Sequence, residues 1–302
     1  MARIVCVHGI GQQHKGAETL AAEWAAALRD GVRRSGGTVS SQPLPLPGDS
    51  DIRCVFYGDV FRPPGRLLGP SDPWLTADDV DDFERELLLA WWRAAAETDA
   101  CVISPGARSL ARTPGSVQAA LRALSTSAFF GGVADRLMLT DVRQVRRYLT
   151  EPGVREAVQN RVSAAVSCDT RVVVGHSLGS VVAYEALCAH PEWPVRALVT
   201  LGSPLGIRNL IFDRLVPAPA AVADGRPPGA WPGAVAAWTN VADSGDAVAL
   251  VKDLRPLFGD RVACWLVHNG SQAHAVKPYL TAAQTGAAIA AELWDSPRLG
   301  IG

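Results

Sequence analysis

The sequence predicts an α/β protein, in which a mostly parallel β-sheet is covered by helices on both faces. Short β-branched runs bounded by glycine or proline alternate with longer segments rich in alanine and leucine. Several of the short runs are almost continuously apolar, as expected of strands that are buried on both faces. Of the 302 residues, 48% are hydrophobic and 20% are charged, so the chain can bury a large core and is neither disordered nor collagen-like.

The predicted elements follow from hydrophobic periodicity. The strand pattern occurs in the segments 3–7, 51–57, 171–174, 197–201, 235–241 and 261–267. Apolar residues at helical spacing occur in the segments 17–33, 154–166, 180–190 and 278–294. Because we find no internal repeat, we expect one domain that covers residues 1–302.

A long interval separates the second predicted strand from the third. It predicts a helical insertion at about residues 60–150, because a bare connection of that length is uncommon in a compact domain. Residues 80–96 have the pattern of an amphipathic helix that carries Trp91 and Trp92. Two interpretations are open: an additional packing layer, or a lid over a substrate pocket to which the two tryptophans would contribute.

Charge and cysteine usage exclude several classes. With 29 Lys+Arg against 30 Asp+Glu, the net charge of -1 disfavours a nucleic-acid partner. Every window of eighteen residues contains a charged side chain, so we expect no transmembrane segment. The apolar run 4–7 ends at His8 and is too short for a secretory signal. The six cysteines form no C-x-x-C pair, which predicts reduced thiols, no zinc site and a cytoplasmic setting.

The most specific motif follows the third predicted strand. The apolar run 172–174 leads through Gly175-x-Ser177-x-Gly179 into a predicted helix, which is the pattern of a nucleophile elbow. Such a turn forces the serine into a strained backbone conformation, and side chains at both glycine positions would collide with the neighbouring strand and helix. We therefore predict Ser177 as a nucleophile that lies at a helix N-terminus.

A serine hydroxyl needs a base, and the base needs an orienting acid, in the chain order serine, acid, histidine. Asp243 and Asp246 both follow the strand 235–241. We favour Asp246 because Gly245 allows the reversal that would present it, whereas Asp243 resembles a turn-forming residue.

The base is sought after the last predicted strand, where His268 and His274 are the candidates. His268 lies at the end of the strand. His274 lies on the loop before a helix, from which it could reach over the sheet, and we favour it.

Acyl transfer also needs N–H donors for the oxyanion, normally from the residue after the serine and from a loop after an earlier strand. Leu178 and Ile10 occupy those positions, the latter within the loop 8–11. This loop lacks the third glycine of a dinucleotide site and the Lys-Ser/Thr pair of a P-loop, so nucleotide binding is disfavoured. His8, Gly9 and His176 are further candidates for substrate contacts.

Taken together, these motifs resemble the α/β-hydrolase superfamily, in its esterase and lipase branch, over nearly the whole chain apart from the insertion. The resemblance is carried by the oxyanion loop 8–11, the elbow 175–179, the Leu-Gly-Ser-Pro segment 201–204, the Asp-x-Val sequence 246–248 and the Tyr-Leu pair 279–280. It implies the α/β-hydrolase fold, with a helical insertion before the nucleophile strand, and a triad of Ser177, Asp246 and His274.

The expected function is hydrolysis of a small-molecule carboxylic ester through an acyl-enzyme, with no cofactor and no metal. Aromatic residues favour an apolar acyl group; they are Trp91, Trp92, Phe129, Phe130 and Trp231. Two alternatives stay open. A thioesterase or acyltransferase would use the same triad, and a binding module could retain the fold without turnover.

Overall fold

A parallel β-sheet forms the centre of the molecule. The structure, a computed structural model, describes residues 1–13, 15–36, 38–39, 42–62, 75–106, 114–127, 135–220 and 227–294. The described strands are β1 (Ile4–Val7), β2 (Thr38–Val39), β3 (Gln42–Pro43), β4 (Ile52–Val55), β5 (Val172–His176), β6 (Ala197–Leu201), β7 (Ala237–Asp243) and β8 (Val262–Val267). All neighbours in the central six-stranded sheet are parallel, and β2 and β3 form a separate antiparallel pair. Each of the six predicted strands lies in the central sheet.

The strand order of the central sheet is β4-β1-β5-β6-β7-β8. The chain therefore places β4 on one side of β1 and then builds the rest of the sheet on the other side. The change of direction lies between β1 and β5, which are direct neighbours. In open α/β sheets, the carboxyl ends of the strands at such a point bound a crevice where ligands bind.

Helices surround the sheet, as predicted. The described helices are α1 (Ala17–Arg34), α2 (Asp82–Thr98), α3 (Pro114–Thr126), α4 (Asp135–Thr150), α5 (Pro152–Ser163), α6 (Leu178–Ala189), α7 (Arg255–Phe258), α8 (Val276–Leu280) and α9 (Ala283–Leu293). None of the described helices is both long and apolar enough to cross a lipid bilayer. All six cysteines are free thiols.

The prediction of one helix over 278–294 is wrong, because the chain breaks there into α8 and α9. Thr281 keeps a helical conformation, but Ala282 is extended, with φ −65° and ψ 139°. Both helices lie against α1 at very short range: a Cβ on Gly286 would be 2.0 Å from the carbonyl oxygen of Gly31. The apolar periodicity continues across the break, so the sequence pattern could not reveal it.

The two faces of the sheet carry separate cores. In β1, Ile4 and Cys6 pack with α1, α8 and α9 on one face, whereas Val5 and Val7 pack with the helices α2 to α6 on the other. This alternation is the two-residue period of a strand. Because both faces are covered, the central strands contain few polar residues, which explains their apolar runs in the sequence.

The interval of the predicted insertion contains α2, α3 and α4. Asp81 caps α2 by accepting a hydrogen bond of 2.8 Å from the N–H of Glu84, and the Glu84 carboxylate accepts one from the N–H of Asp81. Glu84 is 2% exposed and also binds Arg143 and Arg146 of α4, at 2.9 and 3.1 Å. These ion pairs hold α4 against the start of α2. Phe129 and Phe130 lie outside the described residues.

Candidate active site

The loops after β1 and β5 meet at the crevice where the strand order reverses. Val7, the last residue of β1, is paired with Gly175 near the end of β5. The polypeptide then continues into His8 on one strand and towards Ser177 on the other. The candidate nucleophile and the candidate oxyanion loop are therefore neighbours because of the sheet topology.

Ser177 occupies a sharp turn between β5 and α6. Its backbone has φ 53° and ψ −129°, in a region that residues other than glycine rarely adopt, and its N–H donates to the carbonyl of Leu201 at 3.0 Å. A Cβ on Gly175 would lie 2.5 Å from the carbonyl oxygen of Gly179, and one on Gly179 would lie 2.1 Å from that of Val7. Both positions therefore need glycine, as the sequence motif predicts.

Ser177, His274 and Asp246 form a continuous chain of hydrogen bonds. Nε2 of His274 lies 3.0 Å from Oγ of Ser177, and its Nδ1 lies 2.8 Å from Oδ2 of Asp246. An ionised carboxylate only accepts hydrogen bonds, so Nδ1 carries the proton and Nε2 accepts from the serine hydroxyl. This arrangement can remove the serine proton during attack on a carbonyl carbon.

The carboxylate of Asp246 is fully engaged. Oδ1 accepts from the N–H groups of Val248 and Ala249, at 2.9 and 3.2 Å, while Oδ2 accepts from His274 and from the hydroxyl of Tyr279, at 2.7 Å. Burial raises the pKa of Asp246, but the charge of His274 and the hydrogen bonds from His274 and Tyr279 outweigh burial and hold the pKa below its ordinary value. The acid therefore stays ionised while it orients the imidazole.

Asp243 and His268, the less favoured candidates for the acid and the base, have other contacts. Asp243 accepts hydrogen bonds from the N–H groups of Gly245, at 2.7 Å, and of Asn269, and thereby joins the loops after β7 and β8. His268 is exposed just beyond β8. The structure thus brings Asp246 and His274, rather than these neighbours, to Ser177.

His176, the residue before the candidate nucleophile, contacts the loop that carries His274. Its Nε2–H donates to the backbone carbonyl of His274 at 2.8 Å, and the two rings lie 4.8 Å apart. Burial is the main cause that lowers the pKa of His176 to about 3, so the ring is neutral at physiological pH. His176 therefore fixes the backbone of His274 and does not bind its imidazole ring by a hydrogen bond.

Gly202 leaves room for the acid and the base. It has φ +53°, and a Cβ at this position would lie 2.8 Å from Oδ2 of Asp246 and 3.2 Å from Nδ1 of His274. Any larger residue would push the carboxylate and the imidazole apart. Gly202 belongs to the Leu-Gly-Ser-Pro segment of the resemblance, but the sequence alone does not explain why this position needs glycine.

The proposed oxyanion donors belong to two segments that meet beside Ser177. Leu178 is the first residue of α6, and Ile10 belongs to the loop after β1. Neither N–H donates a hydrogen bond to any of the residues that the structure describes. A Cβ on Gly9 would lie 2.7 Å from Cβ of Ser177, so the loop passes directly beside the nucleophile. The two amides are available for a ligand at this point.

The buried side chain of His8 stabilises the loop after β1 by hydrogen bonds to the backbone. Its Nδ1–H donates to the carbonyl of Gly9 at 2.7 Å, its Nε2 accepts from the N–H of Tyr57 at 3.1 Å, and its ring stacks on that of Tyr57. Burial is the main cause that lowers the pKa of His8 to about 4, so the ring is neutral. Both ring nitrogens are therefore occupied by backbone groups.

Trp91 and Trp92, the tentative substrate contacts in the insertion, are 1% and 4% exposed. Both pack in the core on the face covered by α2 to α6, and Nε1 of Trp92 donates to the carbonyl of Ile103 at 2.8 Å. Their position is that of a packing layer.

A cleft of about 460 Å³ adjoins the acid and base loops. It lies between the end of α2 and the loops after β7 and β8, and it is lined by Thr98, Asp243, His268 and Ala273 among others. Ala273 directly precedes His274 in the chain. The described residues that line the cleft do not include Ser177, His274 or Asp246.

Two residues near the site were not identified from the sequence. They are Tyr279 of α8, which contacts Asp246, and Asp141 of α4, which contacts the loop after β1. Their side-chain contacts depend on segments that are far apart in the chain, so no local pattern signals them. Within the described residues, no group of three or more His, Cys, Asp or Glu side chains is placed to hold a metal ion.

No family model, no curated protein and no solved structure matches this chain.

Proposed function

We propose that the protein is a serine hydrolase of the α/β-hydrolase type that cleaves carboxylic esters. One observation carries the proposal: Oγ of Ser177 lies 3.0 Å from Nε2 of His274, whose Nδ1 lies 2.8 Å from Oδ2 of Asp246. The strained backbone of Ser177 and its position at the crevice of the sheet support the same assignment.

In the proposed reaction, Oγ of Ser177 attacks the acyl carbonyl carbon while Nε2 of His274 takes the hydroxyl proton. The tetrahedral intermediate collapses, and the imidazolium gives this proton to the departing alcohol. Water then attacks the acyl-enzyme, with His274 as the base, and the carboxylic acid is released. Asp246 stays ionised throughout and stabilises the imidazolium.

Negative charge develops on the carbonyl oxygen in both tetrahedral intermediates. The N–H groups of Leu178 and Ile10 would donate to this oxygen, and each such donor contributes about 3 kcal/mol to transition-state stabilisation. Leu178 is also the first residue of α6, so the positive end of the helix dipole points at the same place.

An apolar acyl group and a cytoplasmic setting are parts of the proposal. Ile10, which would supply one of the oxyanion N–H groups, is a partly buried apolar residue of the loop that passes beside Ser177. Six free thiols suit a reducing compartment. Nitrophenyl esters of increasing chain length test the acyl part: we expect a preference for chains longer than acetate, and equal rates would remove the apolar pocket from the proposal.

The proposal is tested by ester hydrolysis with the variant Ser177→Ala. We expect the release of p-nitrophenol to fall by about four to six powers of ten. Ser125→Ala, which changes a serine of α3 outside the site, should hydrolyse at the normal rate. Near-normal hydrolysis by Ser177→Ala would contradict the assignment, and a folded wild-type protein that hydrolyses no ester or thioester would favour the binding module.

A further inference from the structure

A carboxyl group that the proposed mechanism does not use lies beside the oxyanion loop. A Cβ on Gly11 would lie 3.4 Å from Oδ1 and 3.6 Å from Oδ2 of Asp141, so this carboxyl group rests against the loop residue that follows Ile10. Gly11 itself has φ +75° and is exposed. Asp141 therefore lies where the oxyanion loop meets solvent.

Asp141 has no partner among the residues that the structure describes. No hydrogen bond or ion pair reaches its carboxyl group there. Among the arginines of the same helix whose side chains the structure describes, Arg143 and Arg146 bind Glu84, and Arg147 binds Glu151. A carboxylate without a partner is costly to remove from water, so proteins seldom keep one in a partly enclosed position.

The carboxyl group of Asp141 is only partly open to solvent. The side chain is part-exposed, yet burial raises its pKa to about 7. The charge of His274 lowers the pKa of Asp141, but burial outweighs it. The loop that Asp141 contacts at Gly11 also passes beside Ser177 at Gly9. His274 is itself 18% exposed, so both groups open to solvent at the same end of the sheet.

From this geometry we propose that Asp141 contacts the bound substrate and selects esters that carry a cationic group close to the reacting carbonyl. The inference rests on the proposed ester hydrolysis and adds a substrate class to it. A cation beside Asp141 would supply the missing partner of the carboxylate, and their attraction is strong because the group is partly removed from water. Asp141 is thus a specificity residue, separate from Ser177, His274 and Asp246.

The test compares esters that differ only in charge. Butyrate esters of 2-(trimethylammonio)ethanol and of 3,3-dimethylbutanol have nearly the same shape, and they probe the alcohol side. The p-nitrophenyl esters of 4-(trimethylammonio)butyrate and of 5,5-dimethylhexanoate probe the acyl side. The assays run at pH 8, above the pKa of about 7 to which burial raises the carboxyl group of Asp141. The readout is the ratio of kcat/KM for the cationic ester to that for its neutral counterpart.

We expect a ratio of about 10 to 100 in at least one pair for the wild-type protein, and a ratio near ~1 for Asp141→Asn. Asp141→Glu, which keeps the charge, should retain part of the preference. Asp169→Asn removes a carboxylate just before β5, at the opposite end of the sheet, and should keep the wild-type ratio. Thermal unfolding establishes that each variant is folded.

Two results would overturn the inference: a ratio near ~1 for both pairs in the wild-type protein, or an unchanged preference in Asp141→Asn. In both cases Ser177-dependent hydrolysis of the neutral esters would leave the proposed function standing. If the folded wild-type protein hydrolyses none of the four esters, the proposed function fails, and the inference fails with it.

Discussion

The hydroxyl of Tyr279 donates a hydrogen bond of 2.7 Å to Oδ2 of Asp246, the same oxygen that accepts from His274. It also accepts a hydrogen bond of 2.8 Å from the N–H of Asp243. The buried hydroxyl of Tyr279 thus links the carboxylate of Asp246 to the backbone at the end of β7. The orientation of the carboxylate, and through it that of the imidazole, depends on this contact.

Replacing Tyr279 by Phe removes the hydroxyl and keeps the ring. Hydrogen bonds to charged groups contribute about 1.5–3 kcal/mol, so we expect kcat/KM to fall about 10-fold to 100-fold. Because the hydroxyl helps to lower the pKa of Asp246, its loss should raise that pKa and move the acidic limb of the pH–kcat/KM profile to higher pH.

Tyr184→Phe is the matched control. Its hydroxyl donates a hydrogen bond of 2.9 Å to the carbonyl of Ala230, away from the three proposed catalytic residues. This variant should lose stability but keep the wild-type pH profile. If Tyr279→Phe also keeps the wild-type profile, Tyr279 has only a structural role.

Replacing Gly202 by Ala tests the space around the acid and the base. The new Cβ would lie 2.8 Å from Oδ2 of Asp246, and a displacement of about 1 Å at a reacting group costs about 100-fold in rate. We therefore expect kcat to fall about 100-fold or more. The measurement is steady-state hydrolysis of a nitrophenyl ester, with the free energy of unfolding from urea denaturation.

Gly36→Ala separates backbone strain from the clash at the site. Gly36 has φ +64°, and a Cβ there would meet nothing within 4 Å. Both variants should lose about 1–3 kcal/mol of stability through left-handed backbone strain, but only Gly202→Ala should lose activity. Equal activity in the two variants would show that Gly202 is not required for the geometry of the site.

His8 makes stability depend on pH. Its pKa is about 4 in the folded protein, against 6.5 for an ordinary histidine, so between these values the unfolded chain binds a proton that the folded protein does not. The contribution of His8 to the free energy of unfolding is therefore lost as the pH falls through this window, by about 1.4 kcal/mol per pH unit.

Denaturant unfolding of the wild-type protein and of His8→Gln, measured from pH 7 to pH 4, tests this linkage. The glutamine does not titrate, so the stability difference between the two proteins should shrink as the pH falls. His190→Gln changes a part-exposed histidine at the end of α6 and serves as the control. Parallel stability curves for the wild-type protein and His8→Gln would contradict the assignment of His8 as a buried neutral ring.

Much of the architecture could be predicted from the sequence, because its signals are local. Apolar runs indicated the strands, and the glycines around Ser177 indicated the elbow, since close backbone contacts allow no Cβ there. The order serine, acid, histidine selected the residues that the structure brings together. Because β5, β6, β7 and β8 are parallel neighbours, the loops at their carboxyl ends lie at the same edge of the sheet.

The remaining features depend on contacts between distant segments. The hydrogen bond from Tyr279 to Asp246, the clearance at Gly202 and the place of Asp141 beside Gly11 all require the folded arrangement. The break between α8 and α9 is hidden because apolar residues recur across it at helical spacing. The roles of Trp91 and Trp92 were ambiguous because an amphipathic helix can cover a core or a ligand.

Covalent labelling by a fluorophosphonate tests the activation of Ser177 most directly, because the probe reacts with an activated serine whatever the natural substrate is. We expect one adduct per chain, located on Ser177 by peptide mass spectrometry, absent in Ser177→Ala and formed much more slowly in His274→Ala. A folded wild-type protein that stays unlabelled, or that is labelled on another serine, would show that Ser177 is not an activated nucleophile.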